Sequence, residues 1–509
     1  MERQKKLYLT SIILAALYAL EFFVCGIFIF RNLYYTFAAF PFILSAVAVV
    51  PLTLSVLNIK FFKSVKLSVA IICLACLLVI AQFLFTAYIL SKLLFLLITF
   101  VPLFIVLALC GLVLFFTLGY VRLEKKYKRI SVIIISVVLL FTIVFGIFEI
   151  NFFRFTSDGV VFAVEDEYQI AWATSVKSVG YVKIGDKTYY DEQVGQNSVS
   201  KLHKVCVPMS ELDSVKEYSI HSSPVYSEAA YLSWSGRERS KSYTFRPADG
   251  SDGIQIYNIS DNHECLSGAS QAGRYFGDKL DILILNGDNI NDVSSYYQIS
   301  LIYKLAGNIT GGQIPVIFAR GNHDCVGKYA DELHRYVGSN DGNFYYTVTL
   351  GGVNFVVLDT NNDMSDDNFL ISSTANFELV RERQAKWLEE LDFNGFDAEY
   401  SLLVCHMAFG LADYKRFPDW TQKLNSLTDG KFDLCVSGHS HRLHFAEAGT
   451  DTLTSYPIIR GSIRSDHRTD GEGVFPFTFT GTAIECIDGH ITAKFTNSKH
   501  EVLHEISVL

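Results

Sequence analysis

Along roughly the first third of the chain, polar positions almost vanish. Apolar residues run together in stretches such as "SVAIICLACLLVIAQFLFTAYIL", longer than the stripe a soluble helix buries. Five stretches, Leu7–Phe30, Leu33–Ile59, Leu67–Leu90, Leu93–Val121 and Ile130–Phe148, each reach about the 20 residues needed to cross a bilayer. Residues 1–153 are therefore predicted to be an all-α region of five transmembrane helices. From Phe155 to about Pro247 the pattern changes to short alternating runs, "YQIAWAT", "VGYVKIG", "HKVCVPM", "KEYSIHS" and "KSYTFRP", parted by Gly, Asp, Ser and Asn. Such spacing predicts an all-β sandwich over 154–248, with "PADGSDG" as the linker that follows. Over 252–509 the pattern changes again, to apolar strands that end in polar clusters and alternate with helical stretches such as "FELVRERQAKWLEEL". That is the signature of an α/β domain, and "TGTAIECIDGHITAKFTN" adds a hairpin that makes its sheet mixed.

Charge gives the first region an orientation. Arg3, Lys5 and Lys6 precede the first span; Lys60, Lys63 and Lys66 follow the second; Arg122, Lys125, Lys126, Lys128 and Arg129 follow the fourth. The opposite loops hold only Arg31 and Lys92, with Arg154 after the last span. Basic residues near helix ends stay preferentially in the cytoplasm, so the N-terminus is predicted inside and everything after Phe153 outside. Residues 1–153 carry a balance of +9, and the remainder −18. So acidic an outer portion is unsuited to a nucleic-acid polymer, whose binding rests on phosphate neutralisation. The expected localisation is multi-pass in the cell membrane, with the lipid bilayer as one partner.

Five polar clusters at predicted strand ends call for one explanation: Asp261 and His263; Gly287 and Asp288; Gly321, Asn322, His323 and Asp324; His406; and Gly438, His439 and His441. Carboxylate and amide oxygens mixed with imidazoles suit a pair of Mn, Fe or Zn ions better than a thiolate site or an all-oxygen calcium cage.

The order D-x-H, GD, GNHD, H, GHxH resembles the calcineurin-like metallophosphoesterase superfamily, and the resemblance covers roughly Ser251 to Leu509. It implies a four-layer α/β/β/α fold and a phosphohydrolase with two divalent metal ions, which the five predicted spans and their flanking charges would anchor in the membrane facing outward. Asp261, His263 and His441 would hold one metal, Asn322, His406 and His439 the other, and Asp288 would bridge them. A hydroxide shared by the two ions would then be the nucleophile. His323 would stand by the leaving group as proton donor or transition-state stabiliser, with Asp324 orienting it, and Arg320 would offer a fork to phosphate oxygens. The sandwich resembles the fibronectin type III-like domain that precedes the catalytic domain of some purple acid phosphatases. Those enzymes use D-x-G and a tyrosine ligand three residues after the GD aspartate; here His263 and Asn291 stand there, against a tyrosinate-bound ferric site. The D-x-H form is similar to class III cyclic nucleotide phosphodiesterases. Phosphate esters are thus the expected substrates, with nucleotides, cyclic nucleotides and lipid-linked phosphates or diphosphates as alternatives, and a membrane sensor that only binds a phosphorylated ligand as the non-enzymatic one.

Among the rest, Arg442 and His444 follow the last ligand closely enough to line a substrate pocket. His203, His221, His334, His467, His490, His500 and His504 read as solvated or locally hydrogen-bonded. Cys265 and Cys325 each stand two residues after a motif histidine, where either two thiols or a disulfide is allowed.

Overall fold

The computed structural model describes residues 153–193, 195–229, 232–369, 371, 374–464 and 478–509. The five predicted spans lie outside these residues. Among the described residues no helix is long and apolar enough to cross a membrane. The chain divides into two compact units. The described part of the first is the stretch Val225–Gly236, where Val225–Ala229 pairs antiparallel with Leu232–Ser235. The second unit runs from Phe153 to Pro224 and from Arg237 to Leu509.

The second unit is built on two sheets. In chain order the main strands of the first are β1 (Val160–Val164), β2 (Glu167–Ile184), β3 (Ser200–Pro208), β4 (Glu217–Ala229), β5 (Arg239–Thr244), β6 (Ile254–Ile259), β7 (Ile282–Asn286) and β8 (Pro315–Ala319). The second sheet holds β9 (Tyr346–Leu350), β10 (Val353–Leu358), β11 (Tyr400–Cys405), β12 (Leu434–Ser437), β13 (His444–Ala446) and β14 (Ile458–Arg460). Then β15 (Phe479–Ile487), β16 (His490–Asn497) and β17 (Val502–Ser507) return to the first. Its order is β17-β16-β15-β6-β7-β8-β1-β2-β4; that of the second is β9-β10-β11-β12-β14-β13. The helices are α1 (Met209–Val215), α2 (Leu266–Gly273), α3 (Tyr296–Thr310), α4 (Phe377–Glu390) and α5 (Pro418–Thr428).

Strand composition explains the layering. In β7, Ile282 and Ile284 face the second sheet while Leu283 and Leu285 face α2 and α3. In β11, Leu402 and Val404 enter the same inter-sheet core while Leu403 and Cys405 pack with Leu388 of α4 and Leu424 of α5. A strand buried on both faces must be apolar at every position, so these runs are continuous rather than alternating. The result is the expected α/β/β/α stack. The C-terminal hairpin forms as read: β15 and β16 are antiparallel, with Ile487 opposite His490. Its turn, Asp488–Gly489, has φ of 51° and 79°, the doubly positive pair that Asp-Gly suits.

The fibronectin-like sandwich is corrected. Its strands exist, but "YQIAWAT" and "VGYVKI" are two ends of the single strand β2, and β1 lies parallel to β8 in the catalytic sheet. Val161 and Ala163 of β1 enter the inter-sheet core and Val160 and Phe162 the helix-facing one, the same division that β7 shows. The non-alternating run "VVFAV" is the overlooked signal, because a strand buried on both faces belongs inside a parallel sheet. Lys204 of β3 fastens the segment further, donating to the carbonyls of His334 (2.7 Å) and Val337 (2.9 Å) and to Ser339 Oγ (3.1 Å).

His203 is corrected as well. It is fully buried, stacked on Trp172, with Nδ1 2.8 Å from Asp191 and Nε2 2.8 Å from Ser178 Oγ. This is a Ser–His–Asp arrangement in outline. Ser178 has no exposed surface, however, so no substrate reaches its hydroxyl and the network is structural.

Candidate metal centre

The five clusters lie just beyond the carboxyl ends of five strands, three from the first sheet (β6, β7, β8) and two from the second (β11, β12), where α/β folds gather functional groups. Backbone bonds tie the loops together. Asp261 N donates to Gly287 O (3.1 Å), His263 N to Asp288 O (3.1 Å), and Gly438 N to His406 O (2.9 Å). Across the two sheets, His439 N donates to both carboxylate oxygens of Asp261, at 3.1 and 2.9 Å.

This convergence comes with backbone strain. Asp261, His263, Asp288, His439 and His441 have φ of 54°, 42°, 52°, 68° and 51°, a left-handed conformation that costs about 1–3 kcal/mol per non-glycine residue. The strands beneath supply the restraint, since each fully buried aliphatic side chain contributes about 1.5–3 kcal/mol.

The side chains form three overlapping groups: Asp261, His263 and His441; His263, Asp288 and His323; and Asp288, His406 and His439. In each, the ligand atoms lie within 4.8 Å of one another. His263 Nε2 and His441 Nε2 are 3.3 Å apart, and His441 Nε2 is 3.5 Å from Asp261 Oδ1. His406 Nε2 lies 3.2 Å from Asp288 Oδ2 and 3.9 Å from Asp261 Oδ1, while its Nδ1 meets the Asn286 carbonyl at 2.7 Å. Asn322 Oδ1 is 2.9 Å from His439 Nδ1, beside the group it was expected to join. All seven expected ligands are thus brought together. The donor set of carboxylate and amide oxygens with imidazoles, with ligand atoms this close together, fits divalent cations.

Electrostatics follow from burial. Burial pushes the Asp261 carboxyl up to about 6, against the opposing pull of His406. Burial also opposes ionisation of Asp288, but His406 and His323 outweigh it and hold Asp288 below the usual carboxylate range. Burial disfavours the charged form of His406 too, and Asp288 and Asp261 overcome it, raising the imidazole to about 10. His439, desolvated and next to His406, is pushed down to about 4.

Three expected roles change. Asp324 does not orient His323: its Oδ2 accepts the backbone N–H groups of Gly321 (2.9 Å) and Asp288 (3.1 Å), so it shapes the two loops that carry ligands. Burial and the neighbouring Asp288 push its carboxyl up to about 7. The orienter of His323 is the Asn291 carbonyl, 2.7 Å from Nδ1. Arg320 spends its fork on Asp359, with Nε 3.2 Å from Oδ1, gives a further bond to Asn361 (2.9 Å), and lies over the Phe344 ring. With only 11% of its side chain exposed, it braces the loop rather than facing phosphate. His444 sits on β13 opposite Arg460, and Arg460, not His444, lines the cavity next to the centre. Cys265 and Cys325 are free thiols, and Cys325 Sγ donates to the Gly321 carbonyl. Contacts made by Asn291, Asp359 and Arg460 are set by loop packing and leave no pattern in the sequence.

The family model for the calcineurin-like phosphoesterase matches residues 254–443, the stretch that supplies every one of these ligands. The chain carries a calcineurin-like phosphoesterase domain. No curated protein matches the sequence. Among solved structures, a purple acid phosphatase from yellow lupin (Lupinus luteus) seeds is similar at 13% identity over 69% of this chain and 73% of that one, with a TM-score of 0.46. The structure of PhoD is similar at 11% identity over 70% of this chain and 90% of that one, with a TM-score of 0.41. The phosphoesterase domain makes this chain a phosphoester hydrolase.

Proposed function

We propose that this hydrolase uses two divalent metal ions and works outside the cytoplasm, held to the membrane by the five N-terminal spans. The observation that carries the two-metal reading is Asp288, which shares one donor group with His263, an expected ligand of the first ion, and another with His406 and His439, expected ligands of the second. Asp261, His263 and His441 would hold one ion, Asn322, His406 and His439 the second, and Asp288 would serve both. Such a pair, when bound, acidifies water and neutralises charge on phosphoryl oxygens.

The protein's own contribution is placement and proton handling. Because a carbonyl only accepts, Asn291 O fixes a proton on His323 Nδ1 and turns Nε2 toward the ring of His263, 4.8 Å away between centroids. Protonated on both nitrogens, His323 can give Nε2–H to a departing alkoxide or phosphate oxygen. Asp261, Asp288, His263 and His406 are buried, while His323, His439 and His441 are partly exposed, so a phosphate ester would meet the centre at these three imidazoles.

The full-length protein in detergent, loaded with Mn²⁺, is expected to hydrolyse p-nitrophenyl phosphate or bis(p-nitrophenyl) phosphate and to stop on chelation. His323→Asn should lower kcat on the order of 10²-fold with metal content unchanged. Metal-replete protein that turns over neither ester would leave a phosphate-binding sensor instead. Orientation has its own check: protease added to intact cells should release the catalytic domain, and full protection would place it inside.

A further inference from the structure

A cavity of about 320 Å³ opens beside His439, and none of the other six expected metal ligands lines it. One wall is apolar, from Ala408 and Leu411, and the rest is polar, with Lys415, Arg416 and Arg460 against a single acid, Asp413. The three cations are not equivalent. Arg416 is paired with Asp363, and Lys415 donates to the carbonyl of Ala412 at 2.8 Å. Arg460 makes no side-chain hydrogen bond or ion pair among the described residues, and its Nε is buried without a partner. Ser440 Oγ, on the same cavity wall and adjacent in sequence to His439, is buried without a partner as well.

A guanidinium remains charged at any ordinary pH, and a desolvated one with unused donors is costly unless an anion meets it. The strand register fixes where that anion would sit. Arg460 pairs with Ser437, the last residue of β12, so it lies one strand over from the loop that presents His439. Burial opposes the charge of Arg460 most; Asp413 favours it and Arg442 opposes it.

We propose that Arg460 binds a second phosphate of the substrate, so that the preferred substrates are diphosphates with one phosphoryl group at the metal donors and the other in this cavity. This deepens the hydrolase reading and rests on it. In the reaction, the oxygen of water bonds to the phosphorus at the donors and the P–O bond to the bridging oxygen breaks. That oxygen leaves with the second phosphate and takes up a proton, so that water has been added across the anhydride. Two sources offer this chemistry, nucleoside diphosphates and diphosphate lipids.

The test compares kcat/KM of the Mn²⁺-loaded full-length protein on p-nitrophenyl phosphate, uridine diphosphate and farnesyl diphosphate. Wild type should favour one diphosphate, and which one identifies the source. Arg460→Met should lower the diphosphate-to-monoester ratio by about 10-fold or more, mainly through KM, and Arg460→Lys should restore part of it, as expected for loss of a charge-assisted bond. An unchanged ratio overturns the proposal. Calorimetry keeps the proposal separable from catalysis: wild type should bind methylenediphosphonate at least about 10-fold more tightly than inorganic phosphate, and Arg460→Met should lose that margin. Equal affinities in wild type would overturn the proposal even if the protein turned nothing over or the variant failed to fold.

Discussion

Asp288→Asn is expected to reduce turnover by on the order of 10³-fold or more, the upper range for loss of one preorganised charge-stabilising group, while the domain stays folded. The fold should survive because the substitution is isosteric and the amide oxygen can still accept the His323 backbone N–H, now 2.8 Å from Asp288 Oδ1. Asp324 still receives the backbone N–H of residue 288. What disappears is the negative charge between the two donor groups, which faces His406 at 3.2 Å and is 2% exposed, so solvent cannot replace it. Circular dichroism, elemental analysis for bound metal, and kcat on one ester decide the matter together. An active, metal-replete Asp288→Asn protein would remove Asp288 from the centre of the mechanism.

Gly287→Ala should be nearly as damaging without touching any ligand atom. Gly287 has φ of +75°, and a Cβ there would lie 2.6 Å from Gly321 Cα, Gly321 N and His406 Nδ1. None of these is the free end of a flexible chain, so the GD loop itself must move. Left-handed strain and overpacking together are expected to cost about 2–4 kcal/mol of stability. Metal affinity should fall about 10- to 100-fold, as it does when groups supporting ligands are disturbed. Gly430→Ala is the control. Its φ of +68° imposes the same conformational penalty, but nothing lies within 4 Å of the added carbon. If both variants lose equal stability and both keep metal affinity, close packing at Gly287 is not what shapes the site. The same crowding recurs at Gly321, whose Cβ would meet Asp288 Oδ1 at 2.2 Å, and at Gly438, where Ser260 Oγ would be 2.3 Å away. The glycines of the GD, GN and GH motifs are thus there to let the ligand loops touch.

Much of this was legible because the signals are local. A ligand placed one to four residues after an apolar strand end is set by strand length and by the carboxyl-end geometry of α/β sheets, both of which leave periodic marks. The hairpin turn at Asp488–Gly489 and the helix Phe377–Glu390 are local in the same sense. The membership of β1 in the catalytic sheet was legible as well, in the unbroken run of Val160–Val164, but alternating runs downstream suggested a separate sandwich. Arg320 shows the other case. Its partner Asp359 is 39 residues away, and whether a guanidinium meets a carboxylate or a substrate phosphate depends on which loop the second sheet delivers.

The sequence by itself determined the chemistry of the donors, their order and the strands that end in them, since composition and periodicity act over a few residues. Tertiary structure alone decided that Asp324 holds backbone amides, that Asn291 orients His323, that Arg320 is taken and that Arg460 is not. Those outcomes depend on distances between loops of two different sheets, and such distances are fixed only when the inter-sheet core closes.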